Sequence, residues 1–164
     1  NGGGFHRSAC VEEFTYNEDG SLPFIPFTKS GPEPVGTLNP YERVEAETMA
    51  HSWGVKTDRL AGKEHYVRKI DNGDWIKVRE VEFGTEGPKH LTVCTLNFQN
   101  PGVIEFYLDA LSDRPFASVS VDGSESVQTV EVKSRRPVNG KHDVYILFRG
   151  GDEQLFDFDW WKLD

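Results

Sequence analysis

From Tyr41 onward, apolar residues recur at every second position, and that period leaves few ways to fold. Val44 and Ala46 alternate with Arg43, Glu45 and Glu47, and Ile76 and Val78 with Lys77 and Arg79. Ile104, Phe106 and Leu108 share one parity, as do Ala117, Val119 and Val121, then Val144, Ile146 and Phe148, and lastly Phe156, Phe158 and Trp160. A period of two places alternate side chains on opposite faces of a strand, so each run is apolar on one face and polar on the other. Gly73, Gly84, Gly87, Gly102, Gly123, Gly140 and Gly150-Gly151 fall between the runs, where turns need them. No segment carries a helical stripe. Short alternating strands with regular turns are the signature of an all-β chain, a β-sandwich or barrel, and about nine of them suit a jelly roll of two antiparallel sheets.

Residues 1–39 have a different texture. Ala9 to Phe14 and Phe24-Ile25-Pro26-Phe27 read as two short strands around the turn Tyr16-Asn17-Glu18-Asp19-Gly20-Ser21, in which Asp-Gly supplies a positive φ. Pro26, Gly31, Pro32, Pro34, Gly36 and Pro40 then interrupt the chain, as in an extended linker with no core of its own. Asn1-Gly2-Gly3-Gly4-Phe5 has neither the basic nor the apolar region of a signal peptide, and no Met opens the sequence, so it reads as a fragment of a longer polypeptide. The expected division is therefore 1–39 and 40–164.

Charge excludes some functions. The 164 residues hold 27 Asp and Glu against 18 Lys and Arg, for a net charge of −9, where a phosphate-tracking nucleic-acid binder needs a basic stripe. No run of about 18 apolar residues is present to span a membrane. Two cysteines, Cys10 and Cys94, make neither a disulfide framework nor a zinc site, and their pairing is left open.

Three groups of residues carry candidate chemistry. On a strand, Glu45 and Glu47 point the same way, their Cβ atoms about 7 Å apart. Such a pair is either a solvated outer face or, joined by Asp159 from the aromatic run 156–161, a set of hard oxygen ligands of the kind Ca²⁺ takes. The turn Ile70-Asp71-Asn72-Gly73-Asp74-Trp75 reads either as a capped β-turn with Trp75 in the core or as a ligand rim at one end of the sandwich. Trp53 is either a sugar platform or a core or interface residue. Catalysis is poorly supported: Glu80 with Glu82 and Asp157 with Asp159 are pairs that alternation generates unaided, and the serines lack a nucleophile elbow. The histidines lack metal-ligand spacing, and His142 reads as a hydrogen-bonded structural residue.

Four motifs in order, Tyr41-Glu42-Arg43-Val44-Glu45-Ala46-Glu47, Ile70 to Trp75, His142 to Phe148 and Phe158-Asp159-Trp160-Trp161, resemble those of family 6 carbohydrate-binding modules over residues 40–164. His6 to Val11, with Tyr16-Asn17-Glu18-Asp19-Gly20, resembles the last segment of family 43 glycoside hydrolases, propeller enzymes of arabinoxylan and related polysaccharides. The resemblance implies a non-catalytic jelly roll behind an upstream catalytic domain in a secreted, periplasmic or cell-surface enzyme. It also implies a structural Ca²⁺ on Glu45, Glu47 and Asp159, with main-chain oxygens near Gly62 and Lys63, the first and last strands lying side by side. The implied partner is a plant cell-wall polysaccharide or oligosaccharide of the xylan or arabinoxylan type.

The loop-end sugar cleft of that family does not carry over intact. The position of its first aromatic is Lys69, the loop of its second reads Asp122-Gly123-Ser124-Glu125-Ser126, its asparagine is Asp157 and its polar residue falls on Lys56. Three outcomes stay open. Lys56, Lys69 and Asp157 bind a charged sugar through charge-assisted hydrogen bonds; or binding moves to the concave face of one sheet, where Trp53 and Tyr107 are the aromatics to inspect; or the module has lost its sugar site and packs against the catalytic domain.

Overall fold

A computed structural model describes residues 11–26, 28, 31–32, 36–59, 65–96, 100–112, 114–122 and 127–164. Its contacts divide the chain into two compact units, Asn1–Gly36 and Thr37–Asp164. In the first, the turn expected at 17–21 is present: Gly20 has φ 78° and donates its N–H to the Asn17 carbonyl at 2.9 Å, and Asp19 accepts from Ser21. Neither strand expected beside it is formed among the described residues, and Val11, Phe14, Tyr16, Leu22 and Phe24 are exposed. A lone two-stranded ladder is marginal in water, which is why propensity does not prevail here.

The second unit holds eleven strands and no helix among its described residues. They are β1 (Val44–Glu45), β2 (His51–Trp53), β3 (Lys56–Arg59), β4 (His65–Arg68), β5 (Trp75–Glu82), β6 (His90–Leu96), β7 (Gly102–Leu108), β8 (Ala117–Val121), β9 (Gln128–Lys133), β10 (Lys141–Gly150) and β11 (Asp157–Leu163). One sheet runs β3-β4-β11-β6-β9, with β1 also on β11; the other runs β2-β5-β10-β7-β8. All these pairings are antiparallel. The all-β sandwich expected from the period-two pattern is the fold. Leu38 adds a parallel bridge to Val81, so residues 37–39, read above as linker, lie in the second unit.

The core lies between the sheets and follows the parity of the sequence. Ile76, Val78, Ile104, Phe106, Ala117, Val119, Val144, Ile146 and Phe148 of one sheet meet Val67, Leu91, Val93, Phe158 and Trp161 of the other, all at 2% exposure or less. Edge-to-face rings span the gap: Phe106 meets Trp161 at 5.8 Å between centroids, and Phe148 meets Phe158 at 5.8 Å. Each such pair adds about 0.5–1.5 kcal/mol beyond area burial.

Two irregularities matter for function. The β11–β6 register shifts between Phe158 and Trp160, so Trp161 enters the core in place of Trp160. A bulge adds one residue and flips the parity of all that follow. Second, β11 shares one edge between two short strands: Phe158 pairs with Val67 of β4, while Trp160 and Trp161 pair with Glu45 and Val44 of β1. The first and last strands do lie side by side, with Asp159 at the junction.

Candidate functional site

The outward face of the five-stranded sheet carries the parity opposite to the core. Trp75 and Lys77 of β5, Tyr145 and Leu147 of β10, and Glu105 and Tyr107 of β7 all project from it. Trp53 of β2 pairs with Trp75 across the edge, and Leu147 pairs with Trp75 on one side and Glu105 on the other. A hollow of about 480 Å³ is lined by Trp53, Trp75, Tyr107, Leu111, Leu147 and Arg149, together with Gly73 and Ser112. Arg149 also lines a second hollow of about 690 Å³, with Val103 and Ser120 of the next strands. The two hollows run across the strands, from the β2 edge to the β8 edge.

The polar groups of this face are fixed. The Tyr107 hydroxyl donates to Glu105 Oε2 at 2.8 Å, and Arg149 Nε lies 3.5 Å from the same oxygen. Burial first, and the Glu105 carboxylate second, push the Tyr107 phenol above its ordinary value, so it stays a donor. Lys77 pairs with Asp143 at 2.7 Å and sits 5.0 Å from the Tyr145 ring centroid. Trp75 and Tyr145 are tilted rings 5.7 Å apart. Trp53 is 69% exposed, an aromatic surface open to solvent.

The turn 71–74 holds the rim. Gly73 has φ 94° and donates to the Phe148 carbonyl, while Phe148 N–H donates to the Asp74 carbonyl, both at 2.9 Å. The Asp74 side chain accepts the Asp71 N–H at 2.9 Å, and burial pushes its carboxyl above the ordinary range. Gly54, next to Trp53, has φ 82°, and a Cβ there would lie 1.7 Å from Asp74 Oδ1. The strand bearing Trp53 thus touches the turn so closely that only glycine fits.

The sequence-derived residues divide between the sheets. Trp53 and Tyr107 belong to this face, although Tyr107 is 5% exposed, a wall of the hollow rather than an open platform. Trp75, read above as a candidate core residue, points away from the core. Its parity with Lys77 and Arg79 is the signal that identifies it, and Tyr145, between Val144 and Ile146, carries the same signal. Lys56, Lys69 and Asp157 lie with the other sheet. Lys56 of β3 is opposite Arg68 of β4, and Asp157 precedes Phe158, which pairs with Val67. Asp157 is buried and Lys56 is exposed. Lys69 is exposed in the loop that follows, at φ 52°, a region unfavourable to any residue with a Cβ. Arg68, between Lys56 and Asp157, pairs with Asp58. The loop residues 123–126 lie outside the described residues.

Glu45 pairs with Trp160 across the β1–β11 junction, next to Asp159 in sequence, and Glu47 follows two residues after Glu45. Ala46 N–H donates to the Asp159 carbonyl at 2.8 Å. Arg43 pairs with Glu45 at 2.8 Å and reaches Asp159 Oδ2 at 3.8 Å. Glu47 Oε2 is buried without a hydrogen bond among the described residues. No group of three or more His, Cys, Asp or Glu is close enough to form a metal cluster among those residues, and the loop with Gly62 and Lys63 lies outside them. Cys94 is a buried free thiol, pushed above its ordinary pKa by burial and then by Asp159; Cys10 is outside the described residues. His142 is satisfied as expected, Nδ1 on Asp109 at 2.8 Å and Nε2 on the Asn139 carbonyl at 3.0 Å.

Residues 45–164 match the model of the carbohydrate-binding module, family 6. The chain belongs to that family. Its members are non-catalytic carbohydrate-binding modules. The chain is 30% identical over 96% of its length to an arabinoxylan arabinofuranohydrolase of Bacillus subtilis, and 32% identical over 96% to that of Paenibacillus polymyxa. It spans only 32% and 26% of those two proteins. A family 6 module from Clostridium cellulolyticum in complex with xylose superposes with TM-score 0.71 at 26% identity, covering 77% of this chain and 99% of that one. The structure of the Bacillus subtilis family 43 enzyme in complex with cellotetraose superposes with TM-score 0.76 at 30% identity, covering 93% of this chain and 33% of that one. No helix among the described residues is long and apolar enough to cross a membrane.

Proposed function

We propose that this module binds a xylan- or arabinoxylan-type chain on the outward face of its five-stranded sheet, as part of a secreted family 43-like hydrolase. The carrying observation is the 480 Å³ hollow in which exposed Trp53 and half-buried Trp75 stand beside Tyr107 and Arg149. Pyranose rings present apolar C–H faces to aromatic rings, while fixed polar groups select their hydroxyls. Tyr107, Glu105 and Arg149 supply such groups, already oriented by one another. A groove running on past Val103 and Ser120 suits a chain better than a single sugar. At the loop end, Lys56 and Lys69 stand where polar and aromatic contacts are expected. Affinity electrophoresis on arabinoxylan, xylan and β-glucan tests the reading: retardation on the first two is expected, and unaltered mobility on all three contradicts it. That second result would favour the other reading, a module that packs against its catalytic domain, for which the lost aromatics of the loop end argue.

We also propose a structural Ca²⁺ held by Glu45, Glu47 and Asp159, with main-chain oxygens near Gly62 and Lys63. The donors are all hard oxygens, the type Ca²⁺ takes, and a cation would give the buried Glu47 Oε2 the partner it lacks among the described residues. Glu45 would exchange its Arg43 pair for the ion. The ion's contribution would be to neutralise these carboxylates and tie β1 to β11.

A further inference from the structure

The net charge of −9 conceals a cationic end. Segments 83–89, 114–116 and 134–140 lie toward the end of the sandwich opposite the turn 71–74, because β5 and β9 run toward it and Arg135 N–H donates to the Phe116 carbonyl. Lys89, Arg114, Lys133, Arg135 and Arg136 are all exposed there. Among the described residues none of these five side chains has an ion-pair or hydrogen-bond partner. Two hollows meet at Arg135 and Arg136: one of about 500 Å³ with Lys89, Lys133 and the wall residues Pro88 and Pro137, the other of about 330 Å³ with Arg114 and Pro115. Glu86 also lines the first.

The loops that carry these residues are stitched together through their backbones. Ser134 N–H donates to the Lys89 carbonyl at 2.9 Å, Arg135 N–H to the Phe116 carbonyl at 2.7 Å, and Ser134 Oγ to the Arg136 carbonyl at 2.7 Å. Gly87 lies so close to the next loop that a Cβ would stand 1.7 Å from the Val138 carbonyl oxygen. Five like charges gathered around two adjoining hollows, with Glu86 the one acidic side chain lining them, repel one another in the free protein, and an anion relieves that repulsion. Guanidinium groups in adjacent hollows with proline walls match carboxylates carried on pyranose rings with apolar C–H faces, since each Arg can take a carboxylate through two hydrogen bonds.

We propose that this end is a second carbohydrate surface, for a polysaccharide bearing carboxylates, that is, a uronic-acid chain. The choice of a sugar among polyanions rests on the carbohydrate-binding reading above; the anionic character does not. The test is native affinity electrophoresis of the whole chain in gels containing polygalacturonate, its methyl-esterified form, poly-glutamate or duplex DNA. Retardation by polygalacturonate at low salt is expected. It should vanish on methyl-esterification and weaken at 0.15 M salt, where charges are screened beyond about 8 Å. The double variant Arg135→Ala/Arg136→Ala should bind at least tenfold more weakly with an unchanged melting temperature, while Trp53→Ala should be retarded like the parent. No retardation by polygalacturonate overturns the proposal, as does undiminished binding by the double variant or equal retardation by poly-glutamate or DNA. Loss of arabinoxylan binding in Trp53→Ala, by contrast, bears only on the aromatic hollow.

Discussion

The two outward faces of the sandwich come from the same alternating pattern and use it differently. On the six-stranded sheet, Asp157 and Asp159 are nearly buried, with Arg43 and Arg68 beside them. Charge closes that face around the β1–β11 junction. On the five-stranded sheet, aromatic side chains and a fixed Tyr107–Glu105–Arg149 set leave a hollow open to solvent. On the proposed reading the difference separates structure from ligand: polar groups of one face hold strands together, and those of the other border the hollow. Changes on the first should alter stability, and changes on the second should alter binding.

The largest effect is expected where the outward face of the five-stranded sheet is anchored. Gly54→Ala puts a methyl group into the Asp74 carboxylate at positive φ, and overpacking with backbone strain together cost about 3 kcal/mol. Urea unfolding should show the lowered midpoint, and an unchanged midpoint would mean that the Trp53 strand is not tied to the turn. Chelation should strike the opposite face. If Ca²⁺ binds as proposed, EDTA removes about 2.7 kcal/mol at a hundredfold excess of ion over its Kd, and a melting temperature indifferent to EDTA contradicts the metal. Trp53→Ala should lower xylo-oligosaccharide affinity about tenfold, or roughly 1.4 kcal/mol, with little change in melting, as titration calorimetry would show. Lys69→Ala should leave that affinity within a factor of two. The reverse order would move the sugar back to the loop end.

The smallest effect is near the start of β10. Burial pushes the Asp143 carboxyl upward, yet Lys77 and the Glu80 N–H hold it below its usual 3.8. A lowered carboxyl stabilises the fold above its unfolded pKa and loses that contribution as pH falls through the folded value. Asp143→Asn should therefore reduce the decline in stability below about pH 3.8, measured by urea midpoints across that range.

Much of this was legible in the chain itself. The parity of Ile76, Phe106 and Ile146 specified both the core and, one residue away, the outward aromatics Trp75, Tyr107 and Tyr145. Asp-Asn-Gly at 71–73 specified the turn. The exchange of Trp160 for Trp161 in the core was not legible, because a bulge inserts a residue without a compositional mark. Nor was the contact of Gly54 with Asp74, which joins residues 20 positions apart through two different elements. The cationic end draws on three separate loops, so only the topology brings Lys89, Arg114 and Arg135 together. Net charge, a sum over the chain, hides such a patch.

The most direct test of the central claim is a titration of ¹⁵N-labelled protein with a xylo-oligosaccharide, following indole and backbone N–H resonances. Binding on the five-stranded face predicts shifts in the side-chain N–H signals of Trp53 and Trp75 and in the backbone of Arg149, with Lys69 and Asp157 unmoved. Shifts centred on Lys56, Lys69 and Asp157, with both indoles unchanged, would contradict it.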